Sequence, residues 1–205
     1  GIQHGHMKMH LQNILNQFEA NEEEKEIVTA YFDKRTVTHS AVVEKINALR
    51  KPQINWINFL DEDFVRAQLS KLNKNTKPIF GSMNAQQMIE HLSDVTQIAN
   101  GNWNVDVFVS DTKAARRKPF LETKNELQIG FKASFLAEEP DKLKFSSIKE
   151  SINDLIKQIE IFTTVFMEDK NRTVVHPFFG ELDFEYWKKF QVKHFTHHFK
   201  QFNLV

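Results

Sequence analysis

Apolar residues recur at three- and four-residue intervals over most of this chain, which is helical spacing. Leu11, Ile14, Leu15 and Phe18 form a first stripe, and Ile27, Val28, Tyr31 and Phe32 a second. Between them Asn21 followed by Glu24 has the form of a capping box that restarts a helix, so residues 8–39 are predicted to be a helical leader. A short helix is expected after Ser40 ("AVVEKINAL"), then an extended connection ("RKPQINWINF") broken by Pro52. Four longer helices come next. The first, over 61–73, has Phe64, Val65, Leu69 and Leu72 as its stripe; the second, over 83–100, has Ser82 as its expected cap. The third, over 147–168, opens on the capping box Ser147 to Glu150 and carries Ile152, Leu155, Ile159, Phe162 and Phe166 on one side. Asp183 caps the fourth, over 184–203, with Leu182 and Trp187 placed as a hydrophobic staple. Residues 101–146 read as irregular, with a brief strand-like run ("VDVFVS"), and "NRTVVHPFFGEL" reads as a loop. A connection as long as 101–146 is often a lid or a site wall. The fold class expected is all-α: a four-helix bundle over 40–205 behind the N-terminal helical leader.

Composition narrows the function. Six glycines and five prolines in 205 residues suit helices, and 19 phenylalanines supply an aromatic core. With 27 basic and 27 acidic side chains the formal net charge is zero, which argues against nucleic acid or an anionic membrane as partner. The one basic cluster, "KAARRKP" at 113–119, reads as a solvated loop. There is no cysteine, hence no disulfide and no protein thiolate. A metal would have to be held by histidine or carboxylate, and thiol chemistry would need the thiol to arrive with a substrate. No apolar run reaches the roughly 18–20 residues of a membrane span, and the start lacks the apolar core of a signal peptide, so a cytoplasmic location is expected. Residues 1–7, "GIQHGHM", read as an expression-tag remnant, which sets His4 and His6 aside.

The remaining candidate chemistry is histidine. "KHFTHHFKQF" puts His194, His197 and His198 within five positions. At about 100° per residue, Phe184, Trp187, Phe195 and Phe202 share one side of the last helix, while Glu185, Lys189, Lys193, Thr196 and Lys200 fall opposite. His198 projects into the apolar side with His194 about 40° away, and His197 falls between the faces. The i,i+4 pair 194/198 can chelate one ion, or it can be a buried pair satisfied by ordinary hydrogen bonds. A third imidazole is available at His91 in "MNAQQMIEHLSDV", bordering the stripe of Met88, Leu92, Val95 and Ala99 and away from Glu90, Asp94 and Gln97. Three neutral imidazoles would leave coordination positions for water or substrate. His176 reads either as a pocket-lining residue or as an anchor of its loop on the bundle, the anchor being the favoured reading. Gln87 and Gln201, one turn from site histidines, could hydrogen-bond to those rings from behind; otherwise they are ordinary exposed glutamines.

"GSMNAQQMIEHL" together with "HPFFGELDFEYWKKFQVKHFTHHFKQF" resembles the DinB/YfiT-like superfamily, in particular a branch without assigned activity that ends in a His-Pro-x-x-Gly, Trp and His-x-x-His-His-x-x-Gln-Phe pattern. The resemblance extends over about 40–205, strongest at its two ends. It implies a four-helix bundle in which His91, His194 and His198 bind a divalent metal, with zinc, nickel and iron all chemically suited. It also implies a metal-dependent enzyme that activates water or a low-molecular-weight thiol, of thiol S-transferase or hydrolase type, acting on a small molecule. The alternative is a non-catalytic metal- or small-ligand-binding stress-response protein, and a further one is a bundle whose histidines hold no metal. No general acid or base stands out; Glu90 falls on the polar face of its helix and Glu181 lies near the terminal motif. Homodimers through bundle faces or the leader are compatible with the composition.

Overall fold

The structure is a computed structural model that describes residues 2–33, 35–50, 54–103, 105–106, 108–130 and 142–205, with side chains from residue 7 onward. Residues 51–53 of the expected extended connection, Val107 of the strand-like run and the side chains of His4 and His6 lie outside the described residues, as do residues 131–141. The chain packs as two units, Gly1–Ile54 and Asn55–Val205.

The first unit contains α1 (Ile2–Gln17), α2 (Glu22–Phe32) and α3 (His39–Arg50). Its core includes Leu11, Ile14, Leu15, Val28, Phe32, Val42 and Ile46, so the first stripe read from the sequence packs inward, whereas of the second only Val28 and Phe32 are buried and Ile27 and Tyr31 are exposed. The capping box at Asn21 is present in both directions: the Asn21 side chain accepts from Glu24 N–H, and the Glu24 carboxylate accepts from Asn21 N–H. Arg50, the last residue of α3, grips the same carboxylate with Nε at 2.7 Å and Nη2 at 2.9 Å, and also donates to the carbonyl of Phe18. One carboxylate therefore caps α2 and ties it to the end of α3.

The second unit contains α4 (Glu62–Leu69), α5 (Ala85–Ala99), α6 (Asp111–Arg117), a 3-10 turn (Lys118–Glu122), α7 (Ile148–Glu168), a hairpin of β1 (Val174–His176) and β2 (Gly180–Leu182), and α8 (Phe184–Gln201). The four expected helices are α4, α5, α7 and α8. They pack as a bundle, with α7 against α4 and α5, and α8 against α5. Phe59 lies at 5.5 Å from Phe162 and 5.2 Å from Phe195, an aromatic layer through the centre.

The helix ends differ from expectation in instructive ways. Asn84, not Ser82, caps α5, because Asn84 and Gln87 satisfy each other's backbone N–H reciprocally at 2.9 Å. Ser147 does cap α7, but Glu150 turns its carboxylate to the N–H and hydroxyl of Ser146, so the box is closed one residue earlier than the motif implies. The basic stretch 113–119 is not a loop: it lies in α6 and the 3-10 turn, with Ala114 buried inside. No described residue of 105–110 is in a strand. The expected loop over 171–182 folds back on itself as the hairpin, pairing Val174 with Leu182 and His176 with Gly180.

Polar pairs inside the bundle fix how α5 and α7 run. Ser151 Oγ donates to Glu90 at 2.9 Å, Ser93 Oγ to Asp154 at 2.5 Å, and Asn100 Nδ2 to the carbonyl and side chain of Gln158 at 3.0 and 3.1 Å. Partner numbers rise together along both helices, so these neighbours are parallel. The 15 residues of α5 rise roughly 22 Å, and the chain must travel back over that distance before α7 can begin. The long connection is thus a topological requirement, as in other bundles with crossover connections.

Glu90 is where that return ends. Although sequence phase puts it on a polar face, it is buried, and its carboxylate accepts from Lys144 N–H, Phe145 N–H, Gln86 Nε2 and Ser151 Oγ. Burial alone would raise its pKa; these four donors outweigh burial and hold it below the ordinary carboxylate value.

Stability should respond at two carboxylates. Glu90→Gln replaces an acceptor with an amide nitrogen facing donors and should cost about 2–3 kcal/mol in chemical denaturation, whereas an unchanged midpoint would show that the carboxylate does not organise the bundle. Glu24 has its pKa lowered from 4.5 to about 2, chiefly by the Arg50 hydrogen bond and next by Asn21 N–H. Its stabilisation is therefore complete above pH 4.5 and lost as pH falls towards 2. Thermal melts across that range should show a loss in the wild type that is diminished in Arg50→Met.

Candidate metal centre

α5 and α8 bring together three imidazoles, the first two of them 103 residues apart in the chain. His91 Nε2 lies 3.0 Å from His194 Nε2, and His198 Nε2 lies 3.1 Å from the same atom. One ligand nitrogen from each of the three falls within 4.8 Å of the others. His194 and His198 are buried and His91 is half-buried. Phe190 stacks on the His194 ring at 5.2 Å and fixes its plane.

Burial, then the mutual proximity of the rings, pushes the pKa of His194 well below the ordinary histidine value. Burial does the same to His198, with the neighbouring His91 adding to it. Both rings are therefore neutral at physiological pH, the form in which imidazole ligates metal. On His198 the acceptor Oε1 of Gln201 lies 2.8 Å from Nδ1, so Nδ1 carries the hydrogen and Nε2 a lone pair. His194 Nδ1 is buried and has no hydrogen-bond partner among the described residues.

Whether a cation fits can be asked of the donor set itself. The His194 Nε2 faces two other nitrogens, and a single proton on it can serve one of them at a time. Without further compensation, lone pairs confront each other in a desolvated setting. A cation satisfies all three at once. Around a tetrahedral ion with metal–nitrogen bonds of about 2.0–2.1 Å, donor atoms stand roughly 3.3 Å apart, close to the 3.0 and 3.1 Å found here. The cluster could hold a divalent metal.

The other sequence candidates take different places. His197 is half-buried beside the cluster, its ring edge-on to Phe80 at 5.1 Å, and it is not among the three clustered residues. His10 and His39 are exposed in the first unit. His176 anchors the hairpin: it is buried among Phe179, Trp187 and Phe190, burial pushes its pKa down to about 3, and its Nδ1 accepts from Phe178 N–H. Trp187 completes that anchor by donating Nε1–H to the Val174 carbonyl at 3.0 Å. Gln87 spends its amide oxygen on the α5 cap. Glu181 is exposed on the hairpin.

Lys193 and Thr196, placed on the polar side of α8 by their phase, are buried, and so is Gln201, which of its two readings takes the one that hydrogen-bonds a site histidine from behind. Lys193 donates to the carbonyls of Thr123 and Asn125 at 2.7 and 2.6 Å and lies over the rings of Trp56 and Phe120. Burial lowers its pKa. Lys189 and Lys200 extend the same seam to Glu122 and Glu126, while Thr196 Oγ1 accepts from Ile57 N–H at 3.0 Å. The face of α8 opposite its apolar side is therefore covered by the 118–126 segment and by residues 56–57. The available signal for Gln201 was its i,i+3 spacing from His198.

Residues 138–204 match a family described as "Protein of unknown function (DUF1569)". That match takes in α7, the hairpin and α8, and with them His194 and His198, while His91 lies outside it. No curated protein and no solved structure matches the chain. Among the described residues, no helix is long and apolar enough to cross a membrane.

Zinc added to metal-stripped protein should raise the melting temperature, since a ligand at a hundredfold excess over its dissociation constant stabilises by about 2.7 kcal/mol. The shift should vanish in His91→Ala, His194→Ala and His198→Ala and persist in His197→Ala. A His197→Ala variant that no longer responds to zinc would overturn the assignment of the cluster.

Proposed function

We propose that this protein is a metal-dependent enzyme of DinB/YfiT-like character, with a divalent ion held by His91, His194 and His198 and a small-molecule substrate. The reaction class proposed is hydrolysis or thiol S-transfer, with water or a low-molecular-weight thiol as nucleophile. The observation that carries this reading is the convergence of three largely buried imidazole nitrogens from two helices, two of them neutral by burial, together with the terminal motif in which those two sit. A bound divalent ion supplies Lewis acidity there and lowers the pKa of a coordinated water or thiol.

The chain's own residues do the rest. Three protein donors leave a coordination position free, the pattern of catalytic rather than closed structural sites. His91 is the least buried of the three, which supports an approach of the small molecule from its side. Because the sequence contains no cysteine, a thiol nucleophile arrives as co-substrate. Glu90, adjacent to His91, is committed to four donors and is no general base.

The test begins with protein purified without a nickel-affinity step and analysed for metal content. Stripped protein reloaded with zinc, nickel or iron is then assayed with thiols plus electrophiles and with simple esters. Turnover is expected only after loading, and it should be abolished in His194→Ala. Metal bound stoichiometrically without turnover in any assay would leave a non-catalytic binding protein; failure to bind any of the three ions would end the metal reading altogether.

A further inference from the structure

Gln201 is the last residue of α8 and stands outside the histidine cluster, yet its amide is fixed at both ends. Nε2 donates to the Phe80 carbonyl at 2.8 Å. A carbonyl can only accept, so the nitrogen end of the amide is committed there and the oxygen end is what meets His198 Nδ1 at 2.8 Å. That contact requires a hydrogen on Nδ1 and leaves the lone pair on Nε2, the atom 3.1 Å from His194 Nε2.

The turn that holds this amide is shaped around it. Ile79 N–H donates to the main-chain carbonyl of Gln201 at 2.8 Å, satisfying one of the end carbonyls of the helix. Gly81 has φ +77°, and a Cβ there would come within 2.6 Å of Gln201 Nε2. A side chain at position 81 would be strained by its backbone and would push on the amide at the same time. His194 offers the contrast, because its Nδ1 has no hydrogen-bond partner among the described residues. Of the two α8 imidazoles, His198 is the one whose tautomer is dictated from outside the cluster.

We propose that Gln201, held by the 79–81 turn, is the positioning residue of the metal centre: it selects the Nδ1–H form of His198 and orients the ring so that Nε2 is the donor atom. This rests on the three-histidine reading. It makes a turn more than a hundred residues away in sequence part of the site's construction. Partners of this kind orient ligating histidines in metalloproteins generally.

Two readouts test it: long-range proton–nitrogen correlation spectra of the zinc-free protein, which report the His198 tautomer, and calorimetric titration with zinc alone. Wild type should show the Nδ1–H form. Gln201→Glu keeps an acceptor for Nδ1–H but gives up the donor to the Phe80 carbonyl, so it should retain that form with zinc binding weakened less than in a variant without an acceptor. Gln201→Leu should give mixed tautomers and weaken zinc binding by about 10- to 100-fold. Gly81→Ala leaves Gln201 in place but displaces its amide and should fall between these two. A folded Gln201→Leu protein with an unchanged tautomer and unchanged zinc affinity overturns the assignment, and if that variant does not fold, the same two readouts on Gly81→Ala decide. Wild-type protein that binds no zinc would sink the metal reading, whereas the tautomer, read without metal, still judges Gln201 by itself.

Discussion

A carboxylate removed from water must find donors for its oxygens or give up its charge, and Glu90 has found four. Its partners come from its own helix, from the start of α7 and from the end of the long connection. Three pieces of chain are thereby joined at one point, and His91 is the next residue along. With α5 tied there, and tied again by Ser93 and Asn100, its rotation about its own axis is set, and so is the direction in which His91 points. The place of His91 in the imidazole cluster depends on this arrangement.

α8 occupies an unusual position for a helix with four lysines. One side enters the aromatic core through Phe195 and Phe199, a second carries the imidazoles, and the third is covered by the 118–126 segment and residues 56–57. Lysine suits that third side because its long apolar stem can be buried while the ammonium reaches a polar partner. Here the partners are main-chain carbonyls and carboxylates of the covering segment instead of water. Two aromatic faces enclose the Lys193 ammonium as well.

Much of the bundle was legible in the sequence because apolar spacing and caps are local signals. The four bundle helices, the Asn21 and Asp183 caps and the inward phase of residues 194 and 198 all come from residues within a turn or two of each other. The misreadings share a different cause. Glu90, Lys193 and Thr196 are polar, and periodicity assigns polar residues to solvent, yet each is buried by a partner 50 or more residues away. The Val174–Leu182 hairpin was hidden for a related reason: its strands are three residues long, too short for alternation to register, and its stability comes from His176 and Trp187 packing it against α8.

The parallel run of α5 and α7 has a kinetic meaning. Neighbouring parallel helices cannot zip up from a tight turn; the contact between Glu90 and Ser151 closes a loop of 61 residues, and the approach of position 91 to position 194 closes a larger one. Loop-closure entropy must be met before such contacts return anything, which slows assembly relative to an up-and-down bundle of the same size. The contact between positions 91 and 194 carries the larger closure cost of the two. An unfolded or partly folded chain has its histidines scattered, and the finished chain has three of them gathered within reach of one another.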